Sequence, residues 1–228
     1  MAIIKFLGHS AFDVVLTGLD GSEKHVLIDP WLDNPLSPVK ISDYRDVKVD
    51  YIVVTHDHGD HLGNAIELAR LTKAKIIGIY EIAEYAEQQG VEAIGGNIGG
   101  FLNINDLGFV LTPATHSSSR GAPTGVVIVG SDLTIYHAGD TGLFSEMSII
   151  GELYAPDIAL LPIGGHYTMD IRQAVKAVQM IKPKIAIPMH YNTFPVIKAD
   201  PEKFKIIVET LTPSKVVILK PGEQYAYP

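Results

Sequence analysis

A chain of 228 residues that is 46% hydrophobic and 19% charged has enough apolar material for a substantial core and too few charges to stay disordered. Its formal net charge of −8 disfavours general binding to nucleic acid or anionic membranes, while leaving room for a local basic patch. With no cysteine, disulfides and thiolate metal sites are both excluded.

Residues 2–7 and 11–16 alternate in polarity and read as two strands joined at Gly8-His9-Ser10. A turn over Gly18 to Gly21 leads to a third strand, His25 to Ile28. Residues 30–50 hold Pro30, Pro35 and Pro38 with little apolar periodicity. They read as a long loop of the kind that forms rims or lids. Trp31, Leu32, Leu36 and Tyr44 within it suit either a pocket lid or a subunit contact of a homo-oligomer. A buried strand over 51–54 precedes a helix over 61–71, a strand over 75–79 and a helix over 81–89. Glycines 95, 96, 99 and 100 predict a sharp turn. Strands follow near 101–104, 107–112, 125–129 and 133–137, then a helix over 143–153 and a short strand over 157–161. Asp170 to Gln173 has capping-box form, and Ile171, Ala174, Val175, Val178 and Ile181 make one apolar helix face. A strand over 185–187, a helix over 201–210 and a last strand over 216–219 complete the pattern. No sequence repeat links the two halves. Strand runs that give way to strand–helix alternation in both halves suggest two sheets inside and helices outside; composition alone gives only α/β. Residues 1–18 lack a signal-peptide core, and no apolar run approaches the roughly 18 residues of a membrane helix, so a soluble cytoplasmic protein is expected.

The segment Thr55-His56-Asp57-His58-Gly59-Asp60-His61 is the strongest chemical signal. Neutral imidazoles and ionised carboxylates are good ligands for divalent metals. Crowded imidazolium charges repel, so the cluster is best stabilised by a metal that keeps the rings neutral. His56 and His58, two apart on an extended segment, point to one side. Beyond Gly59 the chain can turn, so Asp60 and His61 aim elsewhere and one segment can serve two neighbouring metals. Further candidate ligands each follow an apolar run: His116 after Phe109-Val110-Leu111, Asp140 after Leu133-Thr134-Ile135-Tyr136, and His190 after Ile185-Ala186-Ile187-Pro188. Such positions lie at sheet edges, where α/β folds collect ligands.

The order HxHxDH, His, Asp, His resembles the ligand set of the metallo-β-lactamase superfamily, and the match runs from Gly8-His9-Ser10 to the C-terminal strand. The resemblance implies a single domain over 1–228 with a four-layer αββα sandwich. It implies His56, His58 and His116 on one metal, Asp60, His61 and His190 on a second, and Asp140 bridging them. A narrower likeness is to its small metal-dependent hydrolases, similar to ascorbate-6-phosphate lactonase and N-acyl-phosphatidylethanolamine phospholipase D. It is carried by Gly8-His9-Ser10, Asp29-Pro30-Trp31, Pro162-Ile163-Gly164-Gly165, Thr168-Met169 and Pro188-Met189-His190-Tyr191-Asn192-Thr193.

The expected cofactor is a pair of divalent ions, zinc first, with manganese, nickel or iron accepted by the same ligand types. Such ions lower the pKa of a bridging water from about 15.7 toward 7, and the resulting hydroxide attacks a small ester, lactone or phosphodiester. Asp60 and Asp140 hold the cations by charge, and Asp60 is a candidate to take the water's proton. His9 suits either the pocket or a structural role, and His166 a substrate contact. His137 and Asp29 suit support of the ligands. Tyr191 and Asn192 are placed to donate to an oxyanion. His25 reads as a plain strand residue, Asp170 as a helix cap, and Ser117 to Arg120 as either a contact to an anionic substrate or a solvated loop. The alternatives are a mononuclear iron dioxygenase on the same scaffold, a nuclease, and a non-catalytic metal-binding scaffold. The diiron oxygen reductases of the superfamily typically carry Glu where this chain has His58, together with a fused flavin domain. Known nucleases usually add a basic arm that an acidic chain of this length has little room for.

Overall fold

The computed structural model describes residues 1–104 and 106–228. Among these, the first half runs β1 (Ala2–Gly8), β2 (Ala11–Thr17), β3 (Glu23–Ile28), β4 (Tyr51–Val53), α1 (Gly59–Leu62), α2 (Ala65–Thr72), β5 (Lys75–Ile79), α3 (Tyr80–Gln88) and β6 (Ala93–Gly96). The second half runs β7 (Phe101–Asn103), β8 (Gly108–Pro113), β9 (Thr124–Val129), β10 (Thr134–His137), α4 (Met147–Tyr154), β11 (Ile158–Pro162), α5 (Ile171–Ile181), β12 (Ile185–Met189), α6 (Pro201–Leu211) and β13 (Lys215–Val216). A final strand, β14 (Gln224–Tyr227), follows.

The strands form two seven-stranded sheets, in the orders β14-β1-β2-β3-β4-β5-β6 and β7-β8-β9-β10-β11-β12-β13. Both sheets have antiparallel links between their first four strands and parallel links between the rest. The halves therefore repeat in architecture although no repeat survives in sequence. In the first sheet the position of β7 is taken by β14, which returns from the far end of the chain to pair Ala2 with Tyr227.

Alternation of side chains sorts the layers. On the second sheet, Leu111, Val126, Ile128, Ile135, Leu160 and Ile187 face the first sheet and join its core. Their neighbours Val110, Val127, Tyr136, Ala159, Leu161 and Ala186 face outward against α4, α5 and α6. Helices α2 and α3 cover the first sheet with Leu68, Ala69, Ile82 and Ala86. The result is the four-layer αββα sandwich. Each large aliphatic side chain taken out of water in these layers adds roughly 1.5–3 kcal/mol. Asp170 caps α5, its carboxylate accepting from Gln173 N at 2.8 Å in a full capping box.

Four expectations need correction. The helix expected over 61–71 is two helices broken at Gly63, which sits at φ 41°. A Cβ there would lie 2.6 Å from Trp31 Cα, so the break lets the 30–31 loop pass against the helix start. Gly95 and Gly96 lie in an edge strand rather than a turn, where a Cβ would crowd α3 and the Leu102 side chain; the chain turns at Asn97–Gly100. Helix α4 begins at Met147, since Leu143 and Phe144 instead pack into the outer core. The strand expected over 216–219 shortens to Lys215–Val216, and β14 went unread because four alternating residues are too short a signal.

Among the described residues no helix is long and apolar enough to cross a membrane. Gly63→Ala should lower unfolding stability by about 2–4 kcal/mol, read as a shifted denaturant midpoint, because it adds both strain and a backbone clash. A second prediction concerns His25, whose Nε2 meets Asp13 Oδ1 at 2.6 Å and whose Nδ1 meets Lys48 O at 3.0 Å. A ring between two acceptors is doubly protonated. Burial pulls its pKa down, but the hydrogen bond to Asp13 and then the carboxylate charge outweigh this and leave it raised. A raised folded pKa gives stability that is complete below the unfolded value and lost as pH rises through the folded one. The stability gap between the wild type and His25→Gln should therefore narrow as pH rises above the ordinary histidine value of about 6.5.

Candidate metal centre

The seven expected ligands converge on one edge of the sandwich. His56 to His61 follow β4, His116 follows β8, Asp140 follows β10 and His190 follows β12. Among the described residues three groups could hold a metal, each with ligand atoms within 4.8 Å of one another: His56, His58 and His116; His9, Asp60, His61 and His190; and His56, His61 and Asp140. Asp140 lies between the clusters, with Oδ1 3.2 Å from His61 Nε2 and Oδ2 3.0 Å from His190 Nε2 and 3.6 Å from His116 Nε2. His56 Nε2 is 3.0 Å from His58 Nδ1.

The donor set fits metal ions. His61 Nε2, Asp140 Oδ1 and both ring nitrogens of His190 are buried without a hydrogen-bond partner. An unmet buried polar atom costs about 1–3 kcal/mol. A cation facing His61 Nε2, Asp140 Oδ1 and His190 Nε2 would remove most of that cost.

A supporting layer aims the ligands. Asp29 is fully buried and accepts from Thr55 N at 2.8 Å, Thr55 Oγ1 at 2.7 Å and His61 Nδ1 at 2.7 Å, leaving His61 Nε2 directed into the cluster. His9 is also buried. Its Nε2 donates to Asp60 Oδ2 at 3.0 Å, and its Nδ1 accepts from Thr193 Oγ1 at 2.9 Å. His190 N donates to His9 O at 2.8 Å, tying the first hairpin to the last ligand. His137 bonds backbone only, Ser10 O at 3.0 Å and Gly139 N at 3.1 Å, and so steadies the turn before Asp140. His9, Asp29 and His190 all hold positive φ (56°, 45° and 52°) without being glycine, a strain that clusters at working sites.

The fields in this edge keep most ligands in their metal-ready form. Burial, reinforced by His61, pushes His56 down to about 3. His9 falls to about 4 through burial, although the hydrogen bond to Asp60 resists. Burial also lowers His116. Burial would raise Asp140, yet His61 and His190 hold it well below the ordinary carboxylate value. Asp60 is likewise held low against burial by its bond from His9 and by His61. His61 is the exception: burial opposes its charge, but Asp140 and Asp29 raise its pKa well above the usual histidine value. Its proton occupies the place a cation would compete for.

Other expected residues lie elsewhere. His166 is exposed, with its ring against Tyr167 at 4.4 Å, and it is Tyr167 that lines the cavity. Tyr191 packs into the outer core, and Asn192 Oδ1 accepts from Ala199 N at 3.0 Å, so neither lines the cavity as an oxyanion donor would. Ser117 does line it. Arg120 is engaged with Asp57 at 2.9 Å and lies 4.3 Å over the Tyr85 ring. Asp57 was not singled out from sequence; it accepts from Ser118 and Ser119 as well, fixing the loop after His116. Tyr167, Phe194 and Val196 of the cavity wall were also missed. Of the four loop residues offered as a lid or subunit contact, Trp31 alone lines this cavity, while Leu32 and Tyr44 are buried and Leu36 is exposed.

The family model described as Beta-lactamase superfamily domain matches residues 24–191. The chain belongs to this superfamily. It is 75% identical to a metal-dependent hydrolase of Staphylothermus marinus over the whole of both chains, and 64% identical to one of Thermofilum pendens, again over the whole of both. The solved structure of a metallo hydrolase from Ignicoccus hospitalis superposes with a TM-score of 0.92 at 49% identity, covering 100% of this chain and 99% of that one. The chain is a metal-dependent hydrolase of the metallo-β-lactamase fold.

Asp29→Asn keeps the size of the side chain but weakens its hold on His61 Nδ1. Metal affinity should fall about 10- to 100-fold, measured by calorimetric titration, with the circular dichroism spectrum unchanged.

Proposed function

We propose that this hydrolase is binuclear and cleaves a small ester, lactone or phosphodiester. His56, His58 and His116 would hold one divalent ion and Asp60, His61 and His190 the other, with Asp140 shared. The observation that carries the reading is the location of Asp140, whose carboxylate faces histidines of both clusters within 3.6 Å. Zinc is the favoured ion, since imidazole and carboxylate sets suit it, and manganese, nickel and iron accept the same donors.

When bound, the ions supply Lewis acidity, lowering the pKa of water and polarising the oxygen that gains charge. The protein's own part is orientation. Asp60 stays ionised because His9 and His61 hold its pKa down. His9 fixes Asp60 Oδ2 from one side; that carboxylate, an acceptor only, sets the His9 tautomer, and Thr193 holds the other ring nitrogen. Asp29 and Thr55 lock His61. Ser117 is the hydroxyl on the cavity wall available to a substrate oxygen.

Elemental mass spectrometry of the native protein should find about two divalent ions per chain. Asp140→Ala should reduce this to one or none and cut hydrolysis of a lactone and phosphodiester panel by about a hundredfold or more. A single iron per chain with oxygen uptake would replace this reading with the dioxygenase.

A further inference from the structure

The cavity beside the cluster has a volume of about 750 Å³, a size that accepts a small molecule rather than a polymer. Its polar side is the ligand set itself. Its aromatic and aliphatic lining is Trp31, Tyr167, Phe194 and Val196. Among the described residues that line it there is no Lys and no Arg. Arg120 is held by Asp57 and Tyr85.

The apolar wall is built in advance. Trp31 and Phe194 stack at 6.0 Å between centroids, and both meet the His9 ring edge-on, at 5.2 and 5.5 Å. Each is carried on an anchored loop. Trp31 N donates to Asp29 O, Trp31 O accepts from Asn34, and Gly63 presses against Trp31 Cα. Phe194 opens a short turn closed by Ile197 N, and Ile197 is fully buried. Asn192 staples that turn from both ends, donating to Ile197 O and accepting from Ala199 N. Tyr167 and Val196 remain 54% and 52% exposed, so the wall presents apolar surface that a ligand would cover.

We infer that the substrate of this site carries an uncharged, aromatic or aliphatic arm beyond its scissile bond, stacked on Trp31 and Phe194. The inference rests on the hydrolytic reading of the metal centre. An anionic arm, such as a distal phosphate or sulfonate, would leave water for an apolar wall with no Lys or Arg to receive it. Burial of an apolar arm against two aromatic rings is favourable and needs no such partner.

The test uses metal-loaded protein and two esters with the same leaving group, para-nitrophenyl hexanoate and its ω-sulfonate. Sulfonate is chosen because it is a weak metal ligand. The hexanoate should have a kcat/KM at least about tenfold higher. Trp31→Ala and the milder Phe194→Leu should shrink that ratio at unchanged metal content. A ratio near one, or in favour of the sulfonate, overturns the inference. An independent reading comes from binding, because Trp31 is the only tryptophan in the chain. Hexanoic anilide should shift its emission at concentrations about tenfold lower than the ω-sulfonated anilide does. If no ester is cleaved yet the anilides keep this order, ester hydrolysis falls and the inference about the arm stands. Equal or tighter binding of the sulfonated anilide overturns it.

Discussion

A carboxylate with no exposure to water must have its charge met by the protein, and Asp29 meets this demand with three donors from two residues, Thr55 and His61. Two of those bonds come from Thr55, so the ends of β3 and β4 are fixed against each other. The third comes from His61, so the same carboxylate sets the tautomer and direction of a cluster ring. Thr55 also reaches His56 Nδ1 at 3.1 Å, and its carbonyl accepts from both the backbone and the hydroxyl of Thr124 in the second sheet. One buried charge thereby organises a strand pair, two imidazoles and a sheet-to-sheet contact. Replacing it by an apolar side chain would leave three donors unmet in a dry interior.

The remaining cross-links follow the same logic. His9 comes from the first hairpin, yet its carbonyl holds His190 and its ring holds Asp60. His137 comes from the second sheet, yet it bonds the carbonyl of Ser10 in the first hairpin. These bonds fix the relative position of the sheets at the edge where the ligands converge. Distances across the cluster are therefore set by scaffold contacts, before any ion arrives.

Much of this was legible in the sequence. The convergence of the histidine and aspartate candidates could be read because metal chemistry restricts residue type and spacing, and because each follows a recognisable strand. The αββα layering could be read from strand runs repeated in two halves. What escaped was set by tertiary contact. The break at Gly63 exists because Trp31 passes close by, a contact between residues far apart in the chain. Tyr191 and Asn192 looked like oxyanion donors because they adjoin a ligand, but the left-handed turn at His190 and Asn192 sends them elsewhere. Tyr167, not His166, lines the cavity, since His166 itself adopts positive φ and points to solvent. Neighbours of a ligand in sequence are poor guides to neighbours in space wherever the chain turns sharply.

The shared architecture of the two halves has a further consequence. Each of the three ligand groups takes residues from both: His116 joins His56 and His58, His190 joins His9, Asp60 and His61, and Asp140 joins His56 and His61. Neither sheet closes a group alone, so the centre is a clasp across the sandwich. An ion that binds there recognises only the docked pair of sheets, and its occupancy is thermodynamically linked to their cohesion. The supply of free metal in the surroundings then acts on how firmly the two halves hold together, as well as on whether the chemistry can run.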